Sequence, residues 1–389
     1  MRLMISAATG AFLAVATTAH STEYCVSTAE QLTSALAAIE ASPDEQHVVK
    51  IHTGTYLAPA GGWHVNVRPN GNIRVAGGYD GDNGSCPSQV LPDPGLTRLD
   101  GHQAERPLTI LTELRPDQDF GIGGQITVSG LTFENGVGAS AGGLKISDSG
   151  PIFNGSILVE RSIFRNNVGT MYAEDDSAGG LVAATDGPDF SGNAFLIVRD
   201  NLFSGNRAPD GAAATLFSNN TIDVADNTFT GNQSSGVRQG LPILIPHNAV
   251  TTFTLSGVVY TNNIFWNNNP DNIDGTFDLR ADNPIRASLA ADLFNNDLQA
   301  VSGQPATSSG NVAVDPVFVD AAQEDFHLAG NSPMINAGKE QPEGGFAIIG
   351  LNGFATAVDV EGSFRVQGAN IDIGAYESDS LFQAGFDAP

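Results

Sequence analysis

Five segments of this chain repeat one pattern around one phenylalanine, and such a repeat leaves few folds open. Aligned on Phe133, Phe164, Phe203, Phe229 and Phe265, they span 126–136, 157–167, 196–206, 222–232 and 258–268. Seven residues before the phenylalanine stand Ile126, Ile157, Leu196, Ile222 and Val258, and five before it Val128, Val159, Val198, Val224 and Tyr260. Apolar residues two apart on a β-branched background are the alternation of a strand with one face in a core. Two residues before it the column reads Leu131, Ser162, Asn201, Asn227, Asn263; three after it reads Gly136, Asn167, Asn206, Asn232, Asn268. Asn tolerates left-handed backbone and bonds neighbouring main chain, and stacked at one position it can form an amide ladder. Each segment therefore reads as a strand, an Asn bend, a short strand carrying Phe, and a second Asn bend.

Successive phenylalanines are 31, 39, 26 and 36 residues apart, so the local pattern is constant while the period is not. Loops of different size on a fixed coil produce that combination, whereas leucine-rich or propeller repeats hold their period better. Further apolar runs at 142–146, 179–183, 212–217, 241–245 and 276–280 supply a third strand per turn. The expected fold class is all-β: a right-handed parallel β-helix, a three-strand solenoid, with an N-terminal capping helix. A β-sandwich would not repeat one column five times. The cap is read from Ser27 and Glu30, spaced as a capping box, then Leu32, Ala35, Leu36 and Ile39 on one face, with Ser42-Pro43 as the stop. Runs at 48–51, 54–56, 65–67, 73–75 and 108–111 supply the first rungs. Only 15% of residues are charged and 45 are Gly, which suits short strands joined by many tight turns.

Residues 1–21 stand apart from the fold. Arg2 precedes a small apolar run, and Ala19-His20-Ser21 offers small residues at a cleavage site. This reads as a signal peptide, too short to span a membrane, and no later run is apolar for long enough to do so. The mature chain is expected to be secreted, extracellular or on the outer cell surface. Losing Arg2 would make it one unit more negative than the full chain's −26. That charge argues against nucleic acid, which needs clustered Lys and Arg, and against anionic polysaccharide unless bound cations reverse the field. Cys25 and Cys86, an even count behind a signal peptide, suggest one disulfide tying the first rungs to the cap. A lipid anchor at Cys25 is disfavoured, because Ser21-Thr22-Glu23-Tyr24 lacks the small apolar run it would need.

Near the C-terminus stand four short motifs of a different kind. They are Asp315-Pro316-Val317-Phe318-Val319-Asp320, Asp325-Phe326-His327-Leu328, Ser332-Pro333-Met334-Ile335-Asn336-Ala337-Gly338 and Asn370-Ile371-Asp372-Ile373-Gly374-Ala375-Tyr376-Glu377. Together with Asp359, Gly362 and Arg365 they resemble the choice-of-anchor Q proteins, bacterial secreted proteins with a β-helix of the pectin-lyase type. The match is close over 310–377 and loose before it. The tail from Leu381 to Asp387 resembles the short Phe-x-x-Gly-Phe ending of many exported proteobacterial proteins. The resemblance implies location and fold and no particular reaction, since such folds host lyases, hydrolases, esterases and adhesins alike. The domain reading is 1–21 signal peptide, 22–111 cap and first rungs, 112–309 central repeats, 310–377 the choice-of-anchor Q-like end, and 378–389 the tail.

For polysaccharide-active β-helices the resemblance implies a groove over the first strand of each turn. Its outward positions here include Lys145, Val182, Ala184, Asp278 and Arg280. Glycoside hydrolysis needs paired carboxylates about 5–9.5 Å apart, on neighbouring rungs of that face, and Val182 and Ala184 stand where one would look. The loop after Asn167 is the better candidate: Tyr172, Glu174, Asp175 and Asp176 bring acids beside an aromatic, with Lys145 and Arg165 one bend away. Read as chemistry, Glu174, Asp175 and Asp176 hold Ca²⁺ while Lys145 or Arg165 abstracts a proton beside a uronate carboxylate. Read structurally, they are a solvated acidic loop in a chain with 43 acids, and that reading is favoured. The turns 80–84 and 269–275 are Ca²⁺-loop-like in composition but lack a distant Glu ligand. Trp63, Tyr172 and Trp266 are candidates for stacking on sugar rings, or for edge packing. His247 falls in a bend, His327 belongs to the C-terminal motif, and Arg365, Asp372 and Glu377 are read as a buried ion network closing the last rung. The functional expectation is a monomeric protein that binds glycan or a cell-surface component without turnover. The alternative is a polysaccharide-degrading enzyme, a Ca²⁺-assisted lyase.

Overall fold

A computed structural model describes residues 21–42, 46–67, 71–80, 86, 88–89, 93–112, 122–148, 154–170, 177–185, 195–218, 221–234, 247–254, 257–268, 276–282, 290–339 and 358–378. The strands form stacked parallel sheets that wind as a parallel β-helix with one helix near the N-terminus. Each turn visits sheet I, bends into sheet II and runs along sheet III, and four turns among the described residues cross a two-residue ribbon between sheets II and III. One such turn is Asn154–Glu160, Ile163–Arg165, Val168–Gly169 and Leu181–Thr185. The ribbon, with pairs such as Val137↔Val168, is a fourth short strand that three-strand reasoning did not separate from the bend.

Register follows the repeat. Ile157 pairs with Ile126 and Leu196, and Phe164 with Phe133 and Phe203. The five phenylalanines are fully buried and stack in one column, with centroids 5.1, 4.6, 4.8 and 4.5 Å apart and rings within 16° of parallel. The spacing is set by the strands, since sheet neighbours lie about 4.8 Å apart.

Two buried amide ladders pin the bends. At the sheet I–II bend, Asn201 donates from its backbone N and from Nδ2 to Asn227 Oδ1, both at 3.0 Å. Asn227 does the same to Asn263, Asn263 to Asn296 and Asn296 to Asn311. At the next bend Asn167, Asn206, Asn232 and Asn268 form the second ladder. The left-handed backbone falls one residue earlier, on Asn166, Asp200, Asp226, Asn262 and Asn267 and on Gly205 and Gly231. The work is thus divided: one residue turns the chain, and the next satisfies buried amides and carbonyls. Asn206→Leu is expected to destabilise by about 1–3 kcal/mol, because the amide donors of Asn167 and the carbonyl of Phe164 lose their partner in a buried bend. A chemical denaturation midpoint equal to wild type would show that the ladder adds nothing.

The cap helix is Ala29–Ala41, and Leu32, Ala35, Leu36 and Ile39 face the core. Its N-cap is Thr28, whose hydroxyl accepts from Gln31 N, while Gln31 Oε1 accepts from Ser27 N at 2.7 Å. The cap expected of Ser27 and Glu30 is therefore moved to Thr28 and Gln31, while the back-bond of Gln31 reaches Ser27 N, one residue before the N-cap. Ahead of the helix, Ser21–Val26 pairs with Gln46–His52 as the first strand of sheet I. Cys25 and Cys86 form the expected disulfide, with Cα atoms 5.6 Å apart. Trp63 is buried beneath the helix, its indole N–H donating to Thr33 Oγ1 at 3.1 Å, so it belongs to the core.

Two placements differ from expectation. The fourth strand expected at 241–245 lies outside the described residues; that rung of sheet III is His247–Thr254, paired with Ala214–Ser218. A run of Thr disguised it, because Thr carries strand propensity without an apolar pattern. The C-terminal motifs do not close the last rung. They form a strap along the outer face of sheet II, where Phe318, Phe326, Val360, Ala375 and Tyr376 cover Ile163 and Leu202, and Met334 and Ile373 cover Ile264. Gly374 N donates to Asn262 O at 2.8 Å and Ala375 N to Thr228 Oγ1 at 2.9 Å. Gly374 has φ +107, and a Cβ there would meet Ile264 Cδ1 at 2.6 Å, so the approach requires glycine.

Candidate functional site

With the middle of sheet II covered by the strap, sheet III presents another outer wall. On its outward columns Val182, Thr215 and Thr251 are buried, while Thr109, Lys145, Phe217 and Phe253 are half-buried and His64 is exposed. The core-facing column of sheet III is Trp63, Leu108, Leu144, Leu181, Ala214 and Val250, so the next residue of each strand points away from the core. That outward column runs His64, Thr109, Lys145, Val182, Thr215 and Thr251, and Arg280 follows Leu279, the partner of Val250. Two residues further on, the outward column includes Ala184, Phe217 and Phe253. The rings of Phe217 and Phe253 stack at 4.7 Å and 10°, and both remain half-buried rather than enclosed.

Polar groups flank this aromatic pair. Thr251 Oγ1 donates to Asp210 Oδ1 at 3.0 Å, and Arg280 grips Asp282 through two bonds of 2.9 and 3.1 Å. Hydrogen bonding from Arg280 holds the Asp282 carboxyl below its ordinary range. Arg106 donates to Ala141 O at 2.7 Å and Thr109 Oγ1 at 3.0 Å, and is itself half-buried. Asp278 is outward in register but buried in the bend, where Gln299 N and Ala300 N donate to it; burial pushes its carboxyl up to about 6. The face therefore combines ring surface, hydroxyls and paired charges at rung spacing.

The residues singled out from sequence are distributed as follows. Lys145 is half-buried on sheet III. Arg165 is on sheet II, bound to Glu134 through Nε at 2.7 Å and also through Nη2, and to Glu324 of the strap at 3.3 Å. Tyr172, Glu174, Asp175 and Asp176 lie outside the described residues, as do 81–84 and 269–275. Trp266 is partly buried in the apolar cluster beneath the strap. His247 begins a strand, and His327 is held at both nitrogens, by Asp325 Oδ1 at 2.6 Å and Glu361 Oε2 at 3.0 Å. Sequence reasoning missed Phe217, Phe253 and Asp210. The strand alternation of 214–218 and 247–254 carried the signal, but an outward Phe looks like a core residue until the register is known.

Several groups are held above their ordinary pKa. Burial pushes Asp223 and Asp297 to about 7, Asp226 to about 6 and Glu377 to about 8, and hydrogen bonding to Glu361 lifts His327 to about 9. Burial opposes ionisation of Glu160, yet Arg161 and Arg199 keep it below its usual value. The carboxyls with raised values bind more protons folded than unfolded between about pH 4 and 8, so stability falls as pH rises through that window. His327 acts in the same direction: its contribution is complete below about 6.5 and lost as pH rises through 9. The melting temperature is expected to be higher near pH 5 than near pH 8.5. A rise over that interval would contradict this electrostatic account.

Compared with family models, with curated proteins and with solved structures, the chain finds no match. No helix among the described residues is long and apolar enough to cross a membrane.

Proposed function

We propose that the chain is a secreted or cell-surface bacterial protein that binds glycan along the outer face of sheet III without turning it over. The observation that carries this reading is the Phe217–Phe253 stack, which presents aromatic surface on an outward column beside the hydroxyl and charge pairs of Thr251–Asp210 and Arg280–Asp282. Aromatic faces take the C–H face of a sugar ring while flanking polar groups bond its hydroxyls. The net charge of −26 favours a neutral glycan over an anionic one. The resemblance to choice-of-anchor Q proteins supports an exported location and leaves the ligand open. Lys145 on the same face supports the second reading, a Ca²⁺-assisted lyase using Glu174, Asp175 and Asp176; Arg165 sits on sheet II, away from Lys145, and is engaged there by its neighbour Glu134, which weakens it.

The test is an array of neutral and uronate glycans probed with the folded chain. The Phe217→Ala/Phe253→Ala double substitution is expected to weaken binding by about tenfold or more while the strand signal in circular dichroism at the assay temperature is retained. Equal binding by wild type and double variant would move the site off this face. Unsaturated sugar ends appearing with Ca²⁺, and lost in Asp175→Ala, would replace the binding reading with the lyase.

A further inference from the structure

His52 adds to the disulfide something that the covalent bond does not need. Cys25 lies on the first strand of sheet I and His52 ends the second, while Cys86 stands between the third, Asn72–Asp80, and the short strand Ser88–Gln89 that pairs with it. His52 Nε2 is 3.1 Å from the sulfur of Cys25 and 3.1 Å from that of Cys86, and the three donor atoms lie within 4.8 Å of one another. The ring is buried, with 9% of the residue exposed, and the backbone behind it is anchored: Tyr56 Oη donates to His52 O at 3.1 Å and Thr97 Oγ1 to the same oxygen at 3.3 Å. A crosslink is complete with two sulfurs, yet here a preplaced imidazole nitrogen faces both.

We infer that, once the disulfide is opened, the chain holds one Zn²⁺ through Cys25 Sγ, Cys86 Sγ and His52 Nε2, so that the metal takes over the staple. The chemistry balances with a dithiol or phosphine reductant: two electrons pass to the sulfur–sulfur bond and two protein thiols form. A dithiol gives up its two protons and closes to a cyclic disulfide; a phosphine takes oxygen from one water, which supplies both protons, to become the phosphine oxide. Zinc then displaces both thiol protons to solvent. Thiolates about 2.3 Å and imidazole about 2.0 Å from tetrahedral zinc place the sulfurs about 3.8 Å apart, the separation of two non-bonded sulfurs. A small outward movement therefore converts one staple into the other. The fourth position is left to water or an external donor. Two sulfurs and one imidazole match the donor preference of zinc rather than that of Ca²⁺ or Mg²⁺.

The untagged full chain, reduced with a phosphine and freed of excess, is titrated with Zn²⁺ against a chromophoric chelator while circular dichroism monitors the strands. One equivalent is expected for the reduced chain and none for the oxidised chain at the same concentration. Cys25→Ser should abolish uptake, and His52→Asn should weaken it about tenfold or more while leaving the oxidised chain's disulfide and strand signal intact. Co²⁺ in place of Zn²⁺ should show tetrahedral thiolate absorption that shifts in His52→Asn. A reduced chain that loses its strand signal, or keeps it and binds no more zinc than Cys25→Ser, overturns the inference. So does equal zinc affinity in His52→Asn, because the thiols alone would then suffice.

Discussion

Arg365→Met is expected to destabilise the protein by about 3–5 kcal/mol, the cost of breaking a fully buried ion pair on one side. The guanidinium is 1% exposed and bonds Asp200 Oδ1 through Nε at 3.0 Å and Nη2 at 2.5 Å, while Nη1 donates to Gly374 O at 2.8 Å. Burial works against its charge, but Asp200 and Asp226 overcome that and raise its basicity further. Without Arg365, the buried Asp200 carboxylate loses both guanidinium bonds and is left beside the like charge of Asp226. Asp200 sits at φ +53, a backbone that Asn also tolerates, so Asp200→Asn removes the charge without disturbing the bend. The double variant Arg365→Met/Asp200→Asn is expected to recover part of the loss. Urea denaturation of the four proteins measures the coupling, and additive effects would show that the pair is not energetically linked.

The second large effect is expected at Phe203→Ala, about 3–5 kcal/mol. Its ring has neighbours on both sides, Phe164 at 4.6 Å and Phe229 at 4.8 Å, and is fully buried. The strands on either side hold their spacing through main-chain bonds, so the gap cannot close and a cavity remains. Phe133→Ala removes a ring stacked on one Phe only and should cost less. Equal losses at the two positions would mean that the column acts as isolated apolar residues rather than as a stack.

The coil was legible in the sequence because its contacts repeat: one side chain on one rung meets its equivalent on the next, so Phe133, Phe164 and Phe203 announce one another. Asn201 and Asn206 were legible for the same reason, although the left-handed positions beside them, Asp200 and Gly205, were credited to the ladder residues themselves. What was hidden depends on non-repeating geometry. Arg365 meets Asp200 across 165 residues, and no local pattern announces that partner. The C-terminal motifs were visible as motifs, but which wall they cover is decided by the apolar stripe Ile163, Leu202 and Ile264, which reads in sequence as more core. His52 was passed over because a single His at a strand end carries no signal until both sulfurs are placed beside it.

The strap also imposes an order of events on a chain made from its N-terminus. Residues 163–266 can wind as soon as they emerge, each turn templating the next from neighbours already present. The strap's binding surface is assembled from four of those turns, and its own residues begin only after 310. Docking must therefore be the last step, performed on a finished coil, with Arg365 able to find Asp200 only if the intervening turns are in register. A chain that slipped by one rung would present the wrong wall and leave the strap without a seat. The C-terminus thus inspects the middle of its own molecule, and a truncated or misregistered product would be marked by an uncovered apolar stripe along sheet II.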